Sequence, residues 1–375
     1  MAWLTASEAL AILGVQPQTL YANVSRGRIR AKADPEDPRR SLYHKGDVTR
    51  SAERSAGRRS AVAVAQAAIG WSGDPVLETK LSAVEQGRHW YRGQDGLALA
   101  ESNGLEEIAA LLWDCGPVAF TGAEPPAGGA MSALAQRAER DQPSLGRSAA
   151  TLLREAAELV DLVAASLLGP TDPAPMHRRL AQAWKAPDAE DLLRRALVLL
   201  ADHELNSSTF ACRVAASTGA PLSACLLAGL ATLSGPRHGG ASLGMRLLTA
   251  AAGQMGAEKA VRDWLAQGHR VPAFGHPLYT DGDPRAIALL ARFEPGPLYP
   301  ALRDAAETLT GEKPNIDFAL AALADRFDLP PTASFSLFAI ARSVGWIAHA
   351  LEQSASGRMI RPRARYIGPG KDARP

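Results

Sequence analysis

Cysteine is scarce in this sequence, and charges of opposite sign nearly cancel. The three cysteines, Cys115, Cys212 and Cys225, lie far apart in a chain of 375 residues. This spacing excludes a disulfide framework and a zinc site built on Cys-x-x-Cys pairs. The formal net charge of +2 excludes a strong overall attraction to nucleic acid or to an anionic membrane. We therefore expect reduced, mostly buried thiols in a cytoplasmic protein.

Aromatic residues are also few, at 6%, while alanine and leucine dominate, which favours helices over strands. Long hydrophobic runs are rare as well. The exception is an uncharged segment of 23 residues, 214–236, which is long enough to span a bilayer. Gly219 and Pro221 divide it into two short halves, so we interpret it as two buried helices in the core or at a subunit interface. The first residues, MAWLTASEAL, lack the pattern of a signal peptide.

The first 60 residues have a basic excess, with eleven Lys and Arg against six Asp and Glu. Thr5 and Glu8 have the spacing of a capping box. Gly14 supplies a turn, and Pro17 suits the first turn of a second helix. A helix, a turn, a helix and a basic hairpin in this order resemble the winged helix-turn-helix domains of the MerR and excisionase type. We expect residues 1–60 to form such a module, joined by a linker at 61–75.

A DNA-binding role for this module would involve two groups of side chains. Gln18, Thr19, Tyr21 and Asn23 would lie near a groove, and Arg26, Arg28 and Arg30 would contact phosphates. Small winged modules also serve as protein-interaction domains, so DNA and protein both remain open as partners.

From about residue 76 the sequence reads as successive amphipathic helices, separated by glycine- and proline-rich turns. A hairpin near GRHWYRG (87–93) is the one strand signal in this part of the chain. We predict a mainly helical fold.

Three segments concentrate groups that are suited to acid–base chemistry. His238 is surrounded by glycines and precedes a predicted helix, where a neutral imidazole is favoured and can donate a hydrogen bond to a developing enolate. His276 lies in FGHPLYTDGDPRA (274–286), either a solvated turn or part of a site. Asp317 lies at the start of an apolar helix, where it is either a general base or a simple N-cap. His349 has helical spacing and is expected to be structural.

Several other chemistries lack their motifs. The sequence has no phosphate-binding loop, dinucleotide fingerprint, HExxH pair or GxSxG elbow. His203, His238 and His276 are 35 and 38 residues apart on glycine- and proline-rich loops, without the pairing of helical metal ligands. We predict no metal site.

Taken together, these segments resemble the citrate synthase family. DHELNSSTFACRVAAST, LSGPRHGGA, FGHPLYTDGDPRA, EKPNIDF, FAIARSVGWIAHALEQ and RMIRPRARYIGP occur in the order and spacing of that family. The resemblance covers about residues 76–370. It implies an all-helical fold with a large domain at 76–238 and 327–375 and a small domain at 239–326, and the N-terminal module lies outside the family pattern.

The resemblance also implies roles for individual residues. Asp317 would remove a methyl proton from acetyl-CoA, His238 would hold the thioester oxygen, and His276 would polarise the oxaloacetate ketone. Residues that would bind oxaloacetate are His203, Asn206, Arg285, Arg342 and, from the neighbouring subunit, Arg361. Lys313 would contact CoA, and Tyr279, Asp281 and Asp283 are expected to be ordinary turn residues. The implied enzyme is a homodimer, or a higher even oligomer, with shared sites and no tightly bound cofactor.

Two departures from the family pattern leave the substrate open. The base is followed by the apolar sequence DFALAALA, and the histidine loop reads Gly-His-Pro where many relatives have Gly-His-Arg. Citrate synthase with acetyl-CoA is therefore the first prediction and 2-methylcitrate synthase with propionyl-CoA is the alternative. A metabolite-sensing DNA-binding regulator is the alternative from another class. The presence of all three acid–base residues favours an enzyme.

Overall fold

The structure is a computed structural model that describes residues 3–13, 20, 23–25, 29–34, 37, 40–49, 77–236 and 238–362. The chain divides into two compact units. The first comprises Met1–Leu77 and Arg361–Pro375, and the second comprises Glu78–Ile360.

The described part of the first unit is a short helix beside a small sheet. The elements are β1 (Trp3–Leu4), α1 (Ala6–Leu13), β2 (Ala31–Ala33) and β3 (Ser41–His44). Strand β3 is central and pairs antiparallel with both neighbours. The predicted capping box is confirmed, because the Thr5 amide donates to the Glu8 carboxylate at 2.8 Å and the Glu8 amide to the Thr5 hydroxyl at 3.4 Å. The predicted second helix falls largely outside the described residues, so the winged helix-turn-helix remains a prediction.

The second unit contains a small antiparallel sheet followed by helices. The strands are β4 (Ser82–Glu85), β5 (Arg88–Tyr91) and β6 (Gln94–Asp95). The α-helices are α2 (Gly96–Ser102), α3 (Leu105–Trp113), α4 (Ala130–Arg140), α5 (Ala149–Leu168), α6 (Met176–Ala183), α7 (Glu190–Leu200), α8 (Ser207–Ser217), α9 (Leu222–Leu233), α10 (Ala241–Met255), α11 (Ala257–Ala266), α12 (Pro284–Leu290), α13 (Leu298–Thr310), α14 (Ile316–Arg326) and α15 (Ala333–Ser356). The mainly helical class and the hairpin near 87–93 are thus confirmed.

The uncharged segment 214–236 is two helices, as predicted. Helix α8 ends at Ser217, and α9 begins after Pro221, which cannot donate an intrahelical hydrogen bond. Both helices pack against α15. Helix α15 is the one described helix long and apolar enough to cross a membrane, and 83% of its apolar window is buried in the protein, so this is weak evidence of a span.

Helix α14 lies between two hydrophobic cores of the second unit. Ala319 and Leu323 belong to the larger core, which includes α7, α9 and α15. Phe318 and Ala322 belong to a smaller core, which includes α10, α11 and α13. Both faces of the helix are therefore held by packing, which limits the movement of its N-terminus. The domain boundaries at 238/239 and 326/327 remain predictions.

Candidate active site

The histidine loop is tied to the start of α14 by a short antiparallel ladder. The Gly275 amide donates to the Lys313 carbonyl at 2.8 Å, and the Asn315 amide donates to the Ala273 carbonyl at 3.0 Å. Gly275 has a φ of 73°, and a Cβ there would collide with the Glu312 carboxylate. The backbone conformation therefore favours glycine at this position, and the ladder holds His276 beside the helix that carries Asp317.

Asp283 makes a second connection between this loop and α14. Its carboxylate accepts from the backbone amides of Arg285 and Ile316, each at 3.0 Å, so it caps α12 and also contacts the first turn of α14. It also receives two hydrogen bonds from the Arg285 guanidinium, at 3.0 and 2.8 Å. Both side chains are buried. The expectation that Asp283 is an ordinary turn residue is wrong, whereas Asp281 is exposed.

The Asp283–Arg285 pair keeps both groups ionised despite their burial. Burial alone would raise the pKa of Asp283, but the adjacent guanidinium outweighs it and lowers that pKa. Burial likewise opposes the charge of Arg285, yet the carboxylate raises its pKa further above the ordinary value. Arg285 is thus a permanent buried cation close to the histidine loop.

Asp317 has an accessible carboxylate that no described residue binds. The N-cap of α14 is Asn315, whose side-chain oxygen accepts from the Asp317 amide at 3.0 Å. The alternative that Asp317 merely caps its helix is therefore wrong. Burial raises the pKa of the half-buried Asp317 to about 6, Asp283 adds to the increase, and Arg285 and Arg342 oppose it. A carboxylate with this pKa is suited to general base catalysis near neutral pH.

His276 is a neutral hydrogen-bond donor. Its pKa is lowered to about 4, first by burial and then by Arg285. Its Nδ1 atom accepts from the Leu278 amide at 3.1 Å, and a backbone amide can only donate. The single proton of the neutral ring is therefore on Nε2, which is left to donate to another molecule.

His238 is the second neutral histidine, and it precedes α10 as predicted. The adjacent Gly239 is required, since a Cβ there would lie 2.5 Å from the Leu233 carbonyl oxygen. Burial and then Arg342 lower the pKa of His238 to about 4. Its Nε2 atom is 2.9 Å from the Ser208 hydroxyl oxygen, which also receives a hydrogen bond from the Trp346 indole at 3.2 Å. Ser208 and Trp346 thus orient the imidazole.

Arg342 is a buried cation with an unused donor. Its Nε donates to the Leu200 carbonyl at 2.8 Å, and its guanidinium carbon lies 4.7 Å from the centre of the Phe338 ring. One terminal nitrogen has no partner among the described residues, although the side chain is only 1% exposed. Burial lowers its pKa to about 10, so it stays charged at neutral pH. A buried guanidinium with no carboxylate partner among the described residues is suited to binding an anionic group.

His203 and Asn206 line the same region. The His203 ring lies 5.1 Å from the His276 ring, measured between centroids, and its Nε2 is 2.8 Å from the Tyr279 hydroxyl. Asn206 caps α8 with its side-chain oxygen and donates from Nδ2 to the His203 carbonyl at 3.3 Å. Tyr279 therefore contacts His203, His276 and Arg285. The charge of Arg342 acts on both Asp317 and His238, which links these two residues electrostatically to the same cluster.

A family comparison accounts for this arrangement. The family model described as "Citrate synthase, C-terminal domain" matches residues 127–363, which contain every site residue considered so far. The chain belongs to the citrate synthase family.

Relatives with this name are similar over part of their length. "Citrate synthase 2" of Bacillus subtilis is 36% identical over 50% of this chain and 53% of its own. "Citrate synthase" of Haloferax volcanii is 41% identical over 46% of this chain and 49% of its own. "2-methylcitrate synthase" of Shewanella oneidensis is 33% identical over 49% of this chain and 52% of its own. The chain thus spans about half the length of the curated relatives it matches.

Solved citrate synthases share the fold. The enzyme from Thermotoga maritima has a TM-score of 0.67 and 24% identity, covering 82% of this chain and 97% of its own. A second solved structure is citrate synthase from the thermophilic archaeon Thermoplasma acidophilum, in a ternary complex with carboxymethyl coenzyme A and oxaloacetate. It has a TM-score of 0.67 and 24% identity, and the match covers 80% of this chain and 95% of that one. The citrate synthase fold is therefore confirmed, and it is mostly helical with small sheets rather than all-helical.

The roles of the remaining predicted residues of this citrate synthase-family chain stay predictions. Arg361 belongs to the first unit, so its role stays a prediction. Lys313 is half exposed and its ammonium group is 2.6 Å from the Glu307 carboxylate. Arg30 pairs with Asp47 at 2.7 Å. Asn23 lies in a short helical stretch at 23–25, and Gln18, Thr19, Tyr21, Arg26 and Arg28 lie outside the described residues.

The sequence analysis did not predict the buried carboxylate of Asp202, the residue before His203. Asp202 accepts from the Ser82 hydroxyl and, at 3.3 Å, from Nε2 of His349. Burial alone would raise the pKa of Asp202, but His349 and Arg342 outweigh it and lower it. His349 is fully buried and is structural, as predicted. His89 packs 5.4 Å from the His203 ring, and both of its ring nitrogens lack partners among the described residues.

Proposed function

We propose that this chain condenses acetyl-CoA with oxaloacetate and water to give citrate and free CoA. The observation that carries the proposal is the pairing of Asp317, whose pKa is about 6, with His276, whose loop is hydrogen-bonded to the start of the same helix. Carbon–carbon bond formation from a thioester needs one base and two electrophilic donors around two held reactants. Asp317, His238 and His276 supply those three groups.

The first step is enolisation of the thioester. Asp317 takes a proton from the methyl carbon, and the electron pair of that C–H bond forms the carbon–carbon double bond of the enol. His238 donates a hydrogen bond to the thioester oxygen, where negative charge develops. A neutral imidazole is the appropriate donor, because its acidity is closer to that of an enol than the acidity of an imidazolium is.

The second step joins the two substrates. The enol carbon attacks the ketone carbon of oxaloacetate, and the ketone oxygen becomes an alkoxide that takes the Nε2 proton of His276. The product is citryl-CoA. Water then gives one proton back to His276 as its oxygen attacks the thioester carbon. The carbon–sulfur bond breaks, and the CoA sulfur takes the proton held by Asp317, so CoA leaves as the thiol, citrate is released and both side chains are restored.

Oxaloacetate is a dianion, and its recognition requires cationic donors. Arg342 has the unpaired terminal nitrogen, and Arg285 contributes a second guanidinium group, of which Nε and Nη2 are already bound to Asp283. His203 and Asn206 complete the set within one chain, and Arg361 is contributed by the neighbouring subunit of a homodimer or larger even oligomer. Lys313 contacts the CoA. No tightly bound cofactor takes part, and the protein acts in the cytoplasm.

A steady-state assay tests this function directly. Purified protein is given oxaloacetate with acetyl-CoA or with propionyl-CoA, and CoA release and product mass are followed. We expect CoA release only when oxaloacetate is present, and citrate as the product. Hydrolysis of acetyl-CoA at the same rate without oxaloacetate, or no reaction with either thioester, would contradict a condensing enzyme.

The alternative is 2-methylcitrate synthesis from propionyl-CoA. Its support is the similarity to the Shewanella oneidensis protein and the apolar run Phe318–Ala324 that follows the base. The two thioesters differ by one methylene, worth about 1–3 kcal/mol in a pocket. A kcat/KM ratio above about 10 in favour of propionyl-CoA would select this alternative.

The third candidate function is a regulator that senses a metabolite and binds DNA through residues 1–60. Its support is the basic excess of that segment and the hairpin of β2 and β3. Arg30 weakens it, because its charge is already paired with Asp47. Duplex DNA binding that falls steeply with rising salt would support this role. If the protein does not bind duplex DNA at low ionic strength, a protein is the remaining candidate partner of the module.

A further inference from the structure

Tyr279 contacts three of the residues assigned to substrate. Its hydroxyl is 2.8 Å from Nε2 of His203, and its ring lies 4.8 Å from the His276 ring. The Arg285 guanidinium carbon lies 5.5 Å from the centre of the same ring, a cation–π distance. The side chain is only 4% exposed. A buried tyrosine at the centre of the cluster is not the turn residue that the sequence suggested.

The hydrogen bond between Tyr279 and His203 has a defined direction. Burial raises the pKa of Tyr279 to about 12, so the phenol keeps its proton. The pKa of His203 lies well below its usual value, first because of burial and then because of Arg285, His89, Arg342 and His276, so this ring is neutral. His203 is the one hydrogen-bond partner of the Tyr279 hydroxyl among the described residues. A buried hydroxyl donates where it can, which favours Nε2 of His203 as the acceptor in this 2.8 Å contact.

A donated bond to Nε2 decides where the imidazole keeps its own proton. A neutral imidazole has one N–H, and the nitrogen that accepts cannot carry it. The proton is therefore on Nδ1, for which no described residue is an acceptor. A carboxylate or ketone oxygen of oxaloacetate accepts hydrogen bonds and donates none, so an Nδ1–H is the form of His203 that binds it.

We propose that Tyr279 is a positioning residue, whose hydroxyl fixes His203 as a donor through Nδ1 toward the dicarboxylate substrate. This inference rests on the proposed function. Without the hydroxyl the proton can move to Nε2, and the Nδ1 lone pair then faces a negatively charged substrate. Removing the Tyr279 hydroxyl oxygen, which contacts His203, should therefore weaken substrate binding.

The matched substitutions Tyr279→Phe and Tyr299→Phe test the proposal. Tyr299 is a buried tyrosine of the same unit whose hydroxyl donates to Asp325 at 2.6 Å and does not contact the cluster. We expect Tyr279→Phe to raise the KM for oxaloacetate about tenfold, the scale of one lost hydrogen bond, and to change kcat less than about threefold. Tyr299→Phe should leave both constants unchanged. Equal KM values for the two variants would overturn the inference.

A second measurement uses the unaltered protein and needs no activity. Nitrogen-15 NMR of histidine-labelled protein distinguishes the two tautomers of a neutral imidazole, and the His203→Gln spectrum assigns the signals. We expect the proton on Nδ1 in the wild type and a shift toward Nε2 in Tyr279→Phe. A wild-type proton on Nε2 would overturn the inference even if Tyr279→Phe does not fold.

The proposed function and the positioning role of Tyr279 can be refuted separately. A wild type that condenses no thioester with oxaloacetate overturns the proposed function and, with it, the substrate assigned to His203. An active wild type in which Tyr279→Phe behaves like Tyr299→Phe overturns only the positioning role.

Discussion

Replacing the base should inactivate the protein and stabilise it at the same time. In Asp317→Asn the side chain keeps its size but can neither accept the methyl proton nor ionise. We expect kcat to fall by about three orders of magnitude, within the usual range for loss of a general base, and oxaloacetate to bind almost as before. The gain in stability comes from burial, because the folded protein disfavours the charged carboxylate.

The size of that gain follows from the shifted pKa. The folded pKa is about 6, and that of an aspartate in an unfolded chain is about 3.9. Two pH units correspond to about 3 kcal/mol, and partial exposure of the side chain reduces the expected effect to about 1–2 kcal/mol. Because the folded state binds this proton more tightly, the wild type loses stability as the pH rises from about 4 to 6, and the loss is complete above pH 6.

Urea unfolding at pH 5 and at pH 8 measures this effect. Asp317→Asn should be more stable than the wild type at pH 8, and the difference should shrink at pH 5. The control is Asp263→Asn, which removes an exposed carboxylate paired with Lys259 on α11 and should change stability by less than about 0.5 kcal/mol at both pH values. Lower stability of Asp317→Asn at pH 8, or retention of a tenth of the activity, would refute the assignment.

Three further predictions concern pH, anion binding and assembly. The kcat/KM of the wild type should fall below about pH 6 as Asp317 is protonated. His238 and His276, with pKa values of about 4, should add no change above pH 5. A flat profile of kcat/KM between pH 5 and 8 would contradict this prediction. Arg342→Lys should weaken oxaloacetate binding about tenfold or more in calorimetry, because an ammonium cannot reach both the Leu200 carbonyl and a carboxylate. Mixed dimers of Arg361→Ala and Asp317→Ala chains should recover about a quarter of wild-type activity, because half the dimers are mixed and each mixed dimer has one intact site of two. Native mass spectrometry confirms that the subunits exchange. No recovery of activity after confirmed exchange would assign Arg361 to its own chain.

Local pattern was sufficient for much of the fold. The shortage of β-branched and aromatic residues predicted a helical protein, and Pro221 correctly divided the long uncharged segment into α8 and α9. The capping box at Thr5 and the hairpin near residue 90 were also predictable. These features depend on backbone preferences and hydrogen bonds between neighbours in the chain, so the information lies within a few residues.

Local motifs and the family resemblance predicted the members of the candidate site, but not the raised pKa of Asp317 or the contacts between these members. Glycines around His238, the Pro-Asn turn before Asp317 and the ordered set of family segments indicated the acid–base residues. The same segments left open whether Asp317 is a base or a cap, because both roles suit the first turn of a helix. The observed hydrogen bond to Asn315 excludes the cap, and the base is the proposed role.

Burial and long-range contacts decided the rest. Asp283 and Tyr279 look like turn residues, and they acquire other roles because folding places one against Arg285 and α14 and the other against His203. The raised pKa of Asp317 likewise comes from packing between residues far apart in the chain. Desolvation and Coulomb interactions depend on distance in space, and distances between separate helices are absent from local sequence pattern.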